Sequence, residues 1–177
     1  MRTTTCGAMA DILIIVGTEG GNARFAAEAA GEALSTKRHA VELTFGSERI
    51  ANTLDRSRPL LVCTSTYGYG DLPENLAPFV RRVGVLRPDL RGLPYGVIAL
   101  GDRTYTETFC MAGRRVDALL AELGGRRLGP RLEIDTCADP LPDTAAQAWA
   151  SEWASLLDAE QQRTHLCGGK DDAPRAF

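Results

Sequence analysis

Three short segments concentrate the chemistry of this chain: Gly17-Thr18-Glu19-Gly20-Gly21-Asn22-Ala23, Thr64-Ser65-Thr66-Tyr67-Gly68-Tyr69-Gly70-Asp71 and Leu100-Gly101-Asp102-Arg103-Thr104-Tyr105. In the first, Gly20 and Gly21 let the backbone approach a ligand closely, and Thr18 and Asn22 can add side-chain donors. The unsatisfied N–H groups of a helix that opens here would attract a phosphate. Glu19 would repel a dianion from inside such a loop and is expected to face away. No Gly-Lys-Ser/Thr follows, and the spacing is not G-x-G-x-x-G, so neither a Walker loop nor a dinucleotide fingerprint is present. Taken alone, the segment is equally a tight strand-to-helix turn with a threonine cap.

The second segment sets three hydroxyls, Thr64, Ser65 and Thr66, at a strand end, and Tyr67 and Tyr69 bracket Gly68 ahead of Gly70. A flat aromatic ligand can stack on a tyrosine ring while mobile glycine peptides meet its polar edge. Tyr105 in the third segment offers a second ring, so two loops could hold a planar group between them. The bland alternatives are an exposed turn with incidental tyrosines and a loop closing onto its own helix. Other chemistries are poorly supplied. His39 and His165 are the only histidines, one at a strand edge and one near the C-terminus, which argues against a nucleophilic triad or a metal site. No catalytic residue and no metal are expected.

The elements that must carry these loops follow from hydrophobic patterning. Asp11 to Val16, Pro59 to Cys63 and Tyr95 to Leu100 are apolar without strict alternation, as strands covered on both faces are. His39 to Phe45 and Leu128 to Thr136 alternate and read as edge strands. Helices are expected over Ala23 to Leu34, Leu72 to Val83, Met111 to Leu123 and Thr144 to Leu157, with a short one inside Gly46 to Arg58. Trp149 and Trp153, four apart on the last helix, are expected to pack on the sheet. Strand and helix alternate, so the fold class is α/β: a three-layer sandwich with a five-stranded parallel sheet of order 2-1-3-4-5 and helices on both faces. All three loops then leave one edge of the sheet, where such folds bind ligands.

The 177 residues suit one domain, expected over 11–159, with a short extension at 1–10 and a flexible tail at 160–177. A formal net charge of -3 provides no basic field for nucleic acid. Five scattered cysteines without a C-x-x-C pair suit a reducing compartment, and no signal or membrane-spanning stretch is evident, so a cytoplasmic location is expected.

Together the segments at 17–23, 64–75 (Thr-Ser-Thr-Tyr-Gly-Tyr-Gly-Asp-Leu-Pro-Glu-Asn) and 99–105 (Ala-Leu-Gly-Asp-Arg-Thr-Tyr), with Phe109 following, resemble the flavodoxin family. The likeness is to its short-chain, MioC-like members and to the FMN domains of diflavin reductases. It covers about Asp11 to Leu157. The resemblance implies a noncovalent FMN. The phosphate would sit on Thr18, the Glu19 backbone, Gly20, Gly21, Asn22 and Ala23, and the isoalloxazine between Tyr67 and Tyr105. Thr64, Ser65, Thr66, Tyr69 and Gly70 complete the second loop. Gly68 would reorient to hydrogen-bond the flavin N5 position as the semiquinone forms. Leu100, Gly101, Asp102, Thr104, Phe109 and Cys110 would line the remaining ring and ribityl side.

The implied role is an electron carrier, not itself an enzyme, that shuttles electrons between a flavoprotein reductase and a redox acceptor protein through the flavin semiquinone and hydroquinone. Membranes and nucleic acid are not expected partners. The alternative is an NAD(P)H-dependent quinone or disulfide reductase of the same fold, which would need a dinucleotide site for which no further Gly-rich loop remains. Gly20 stands where many relatives carry threonine, Asp102 where diflavin enzymes often carry asparagine, and the long-chain insertion in the fifth strand is absent. Acids at Glu19, Asp71, Asp102 and Glu107 are expected to lower the potential of the second reduction and could steer a basic partner.

Overall fold

Successive residues of the first strand enter two different cores. In the computed structural model, which describes residues 9–138 and 141–167, the elements are β1 (Asp11–Gly17), α1 (Asn22–Thr36), β2 (Ala40–Phe45), α2 (Glu48–Asn52), β3 (Leu60–Ser65), α3 (Ala77–Leu86), β4 (Pro94–Gly101), α4 (Met111–Glu122), β5 (Arg126–Arg127), β6 (Leu132–Asp135) and α5 (Pro142–Cys167). Ile12, Ile14 and Val16 pack with Ala23, Ala26, Ala27 and Ala30 of α1 and with Trp153 and Leu157 of α5. Leu13 and Ile15 belong to the opposite core, with Phe79 and Val83 of α3 and Val116 and Leu120 of α4. The period-two geometry of a strand produces this division, and burial on both faces explains the unbroken apolar runs.

The sheet is parallel throughout in the order β2-β1-β3-β4, and its last position is shared by β5 and β6, both paired to β4. The register aligns Gly17 with Thr64, Ser65 with Leu100 and Gly101 with Asp135, so four strands end on one edge. The expected order 2-1-3-4-5 holds.

Three expectations are corrected. The fifth strand is not continuous over Leu128 to Thr136: it starts earlier, breaks and resumes. Gly129 has φ +71° and Pro130 lacks an N–H for the ladder, which together turn the chain off the sheet. Both pieces are anchored to the buried Asp117 of α4 through Arg127 and Arg131, and the Tyr95 hydroxyl donates to the same carboxylate at 2.8 Å. The third helix begins at Ala77 rather than Leu72, because Pro73 opens a turn whose carbonyl accepts from Leu76 and Ala77. That turn drives the fully buried Leu76 between Gly17 and Gly46, where a Cβ on either glycine would come within 2.7 Å of it. The last helix runs on to Cys167, past the expected boundary at 159. Its polar final turns are held by Glu160, paired with Arg126 of β5 and Arg163. Of the tail expected at 160–177, residues 168–177 lie outside the described residues, as does the start of the extension, 1–8.

At the opposite end of the sheet, His39 is buried just before β2. Its Nδ1 accepts from the Ala10 N–H at 3.3 Å, and its Nε2 stands 3.6 Å from the Asp158 carboxylate on α5.

Candidate cofactor-binding site

The loop after β1 is folded by its own side chains. Gly21 takes the left-handed conformation, φ +91°, and its N–H donates to the Thr18 hydroxyl at 2.9 Å. The Thr18 N–H donates to the Asn75 side-chain oxygen at 2.9 Å, and the Glu74 N–H donates to the Glu19 carboxylate at 2.6 Å. Glu19 therefore faces away from the loop interior, as its charge requires. The N–H groups of Gly20, Asn22 and Ala23 have no hydrogen-bond partner among the described residues, although Ala23 is fully buried. Buried amides without partners are costly, and these open donors at the start of α1 fit a phosphate.

The loop after β3 is a tight turn. The Tyr67 N–H donates to the Asp71 carbonyl at 3.0 Å and the Asp71 N–H returns to Tyr67 at 2.7 Å. Gly68 and Gly70 both have positive φ, +50° and +92°. A Cβ on Gly70 would meet Met111 at 3.1 Å, so α4 braces the turn from behind. Tyr67 and Tyr105 are 58% and 66% exposed, large rings left uncovered on neighbouring loops. Such a pair suits a planar ligand.

In the loop after β4, Asp102 turns inward on its own chain. Its carboxylate accepts from the Thr104 N–H at 2.8 Å and from the Thr104 hydroxyl. These bonds, the hydroxyl's first, hold its pKa below the usual carboxylate value. Asp102, Asp135 and Cys137 bring three potential ligand atoms within 4.8 Å, but Asp135 is already bonded to the N–H groups of Arg103 and Cys137.

A cleft of about 480 Å³ crosses these strand ends. One wall is Thr18, Glu19, Gly20 and Asn22, the floor Ser65 and Thr66, and the other wall Leu100, Gly101, Asp102 and Thr136, with Tyr67 at one end. A second hollow of about 300 Å³, bounded by Gly68, Tyr105 and Thr108, shares Thr66, Tyr67 and Asp102 with the first, so the two form one trough. The size is that of a cofactor site.

Some expected site residues do not reach this trough. Tyr69 is 93% exposed and points to solvent from the tip of its turn. Thr64 is buried, its hydroxyl donating to the Ser65 carbonyl at 3.0 Å. Phe109 and Cys110 are buried with Ala99 beneath the third loop, and the Arg103 guanidinium covers the Phe109 ring at 4.8 Å. Burial pushes the Cys110 thiol up to about 12, which makes it an inert packing group. Gly21, Ala23, Gly70 and Thr104 shape the loops without lining the trough. Thr136 and Thr108 do line it and were not anticipated. Thr136 lies at the end of the fifth strand with no glycine beside it, so nothing in its surroundings signals a ligand loop.

The flavodoxin family model matches residues 14–149. The chain belongs to the flavodoxin family. It is 42% identical over 156 residues to Flavodoxin YqcA of Pectobacterium carotovorum subsp. carotovorum, covering 86% of this chain and 100% of that one. It is 35% identical over 149 residues to Protein MioC of Escherichia coli (strain K12), covering 84% and 99%. A solved mutant of a Pseudomonas aeruginosa flavodoxin superposes with a TM-score of 0.72 at 34% identity, over 82% of this chain and 97% of that one. This flavodoxin is thus an FMN-binding electron-transfer protein, a carrier rather than an enzyme. Among the described residues, no helix is long and apolar enough to cross a membrane.

Proposed function

We propose that the trough holds FMN with its phosphate on the open amides of Gly20, Asn22 and Ala23 and its ring between Tyr67 and Tyr105. The observation that carries this is the pair of unpartnered amides at Gly20 and Asn22, two residues that line a trough with two exposed tyrosines, beside a third open amide at the buried Ala23. Bound FMN would supply the reversible uptake of electrons, and the chain supplies binding and electrostatics. The Thr18 oxygen is committed to Gly21, which leaves the hydroxyl hydrogen free to donate to phosphate. The Gly68 peptide, at a left-handed position with no side chain to restrain it, is the unit that can reorient toward the ring edge.

Charge around the ring is weaker than four acids suggest. Glu19 faces Glu74, Asp102 is bonded into its own loop, and the Asp71 carboxylate stands 3.9 Å from Arg115. Glu107, the one of the four acids without a hydrogen bond or ion pair among the described residues, then carries most of the repulsion that would lower the second reduction potential and steer a basic partner. Electron delivery from a reductase to an acceptor protein in the cytoplasm is the setting this reading implies. The NAD(P)H-dependent alternative is not favoured by the relatives.

Purified protein tests the reading. FMN added to the apoprotein should be quenched and bound at one per chain, and Tyr67→Ala should weaken binding by about tenfold through lost stacking. Apoprotein that binds no FMN would overturn the reading, and unchanged affinity in Tyr67→Ala would remove that ring from the site.

A further inference from the structure

We propose that the groove between α1 and the start of α5 docks a basic segment of a redox partner protein, one that presents an apolar side chain flanked by lysine or arginine. The inference concerns the partner and does not depend on which group fills the trough. Phe25 lies on α1 in line with Glu28, Ala29 and Glu32, one face of the helix at three- and four-residue spacing. Leu141, just before α5, lines the same hollow of about 460 Å³. Two large apolar side chains from elements far apart in sequence are thus left 60% and 63% exposed around one concavity. Apolar surface gathered in this way, with a polar rim, marks an interaction site, whereas scattered exposed apolar residues do not.

Charge selects the occupant. Glu28, Glu32 and Asp143 line the hollow, and among the described residues no lysine or arginine does. Glu28 is paired with Arg24 at 2.8 Å, and the Asp143 carboxylate accepts from the Thr144 N–H at 2.9 Å. The Glu32 carboxylate has no hydrogen bond or ion pair among the described residues. A second copy would set these acids against themselves, and an anionic membrane surface would be repelled in the same way. A cationic segment complements them, while its apolar side chain covers Phe25 and Leu141. The groove also has a useful place. It meets the trough at Asn22, which lines both, and neither Tyr67 nor Tyr105 lines it. A partner seated there is held beside the trough without using either ring in the contact.

The test titrates the purified full chain with a short amphipathic peptide of lysine and leucine and follows the backbone amides by NMR. The shifts should gather on α1 and at the start of α5. Phe25→Ser and Leu141→Ser should each weaken binding about tenfold, the scale of one apolar side chain buried. Glu32→Gln should weaken it about threefold and flatten its salt dependence. Val85→Ser, which removes another uncovered apolar side chain, on α3, should change nothing. A peptide of glutamate and leucine should not bind. The proposal is overturned by an absence of lysine-peptide binding, by shifts scattered over the surface, by an equal loss in Val85→Ser, or by equal binding of the glutamate peptide. Concentration-dependent shifts in the free chain that Phe25→Ser abolishes would give the groove to a second copy. Contacts from residues 168–177 to Phe25 would give it to the chain's own terminus, and either result also overturns the proposal. Failure of the unsubstituted chain to bind FMN would remove the cofactor reading alone and leave this one standing.

Discussion

The Glu19 carboxylate accepts a hydrogen bond from the Glu74 backbone N–H at 2.6 Å, which ties the loop after β1 to the turn after β3. An acid within the loop proposed to take the phosphate thus serves as a clasp between the loops after β1 and β3. Glu19→Ala should unfasten the clasp and weaken FMN binding about threefold, the scale of one exposed hydrogen bond. Glu19→Gln, whose amide oxygen still accepts, should bind FMN as the parent does. Equal behaviour of the two variants in a fluorescence titration would show that the clasp is irrelevant to binding.

Of the three glycines in that loop, Gly20 is the one where a side chain has both room and an unstrained backbone. A Cβ built there meets nothing within 4 Å, and its φ is not in the left-handed region. Gly20→Thr should add a hydroxyl beside the open amides and tighten FMN roughly threefold to tenfold, on the scale of one hydrogen bond to a charged group. Riboflavin, which lacks the phosphate, should bind as before. Weaker FMN binding in this variant would mean that the new side chain faces the wrong way.

Gly68 offers the opposite case. Its φ is +50°, and a Cβ would lie 3.3 Å from the Asp71 carboxylate. Gly68→Ala should cost about 1 kcal/mol in the turn and restrict peptide reorientation. The expected readout is a changed spacing between the two flavin reduction potentials in an anaerobic titration, with FMN still bound. An unaltered spacing would mean that the Gly68 peptide does not move during reduction.

Stability should fall on mild acidification because of His39. Its Nδ1 is an acceptor for Ala10, so the neutral ring carries its hydrogen on Nε2, and burial lowers its pKa from 6.5 more than Asp158 raises it. As pH drops through about 6.5 the unfolded chain takes up the proton first. The contribution is therefore complete above that value and is lost below it, down to the depressed folded-state pKa. Urea unfolding at about pH 7.5 and about pH 5.5 should show the loss. Asp158→Asn should enlarge it, because the opposing carboxylate is gone, and His39→Gln should reduce it. A pH response identical in all three proteins would assign the effect to other groups.

Much of the fold is legible in the amino-acid order because burial on both faces leaves a plain mark: β1, β3 and β4 are apolar runs ending in glycine or hydroxyl residues, and the loops they launch are rich in the same types. The open amides of the first loop follow from Gly20-Gly21 at a helix start. The rest depends on partners distant in sequence. Nothing near Leu128 reveals that Asp117 draws in Arg127 and Arg131 around the Gly129-Pro130 break, nor that Arg126 steadies the end of α5 through Glu160. Tyr69 has the same composition around it as Tyr67, and only the turn geometry sends one ring to solvent and the other to the trough. Thr136 becomes a site residue through register, since β6 ends opposite Gly101.

The double hold of Asp117 on the broken edge strand also bears on how the molecule avoids its own kind. A two-residue strand followed by a proline gives a neighbouring copy almost no ladder to extend, and the arginines on either side of the break set positive charge along that border. One carboxylate on a helix keeps those cations fastened where strand-to-strand stacking would begin. The β5 stretch of the border farthest from β2 is thereby a poor template for strand addition.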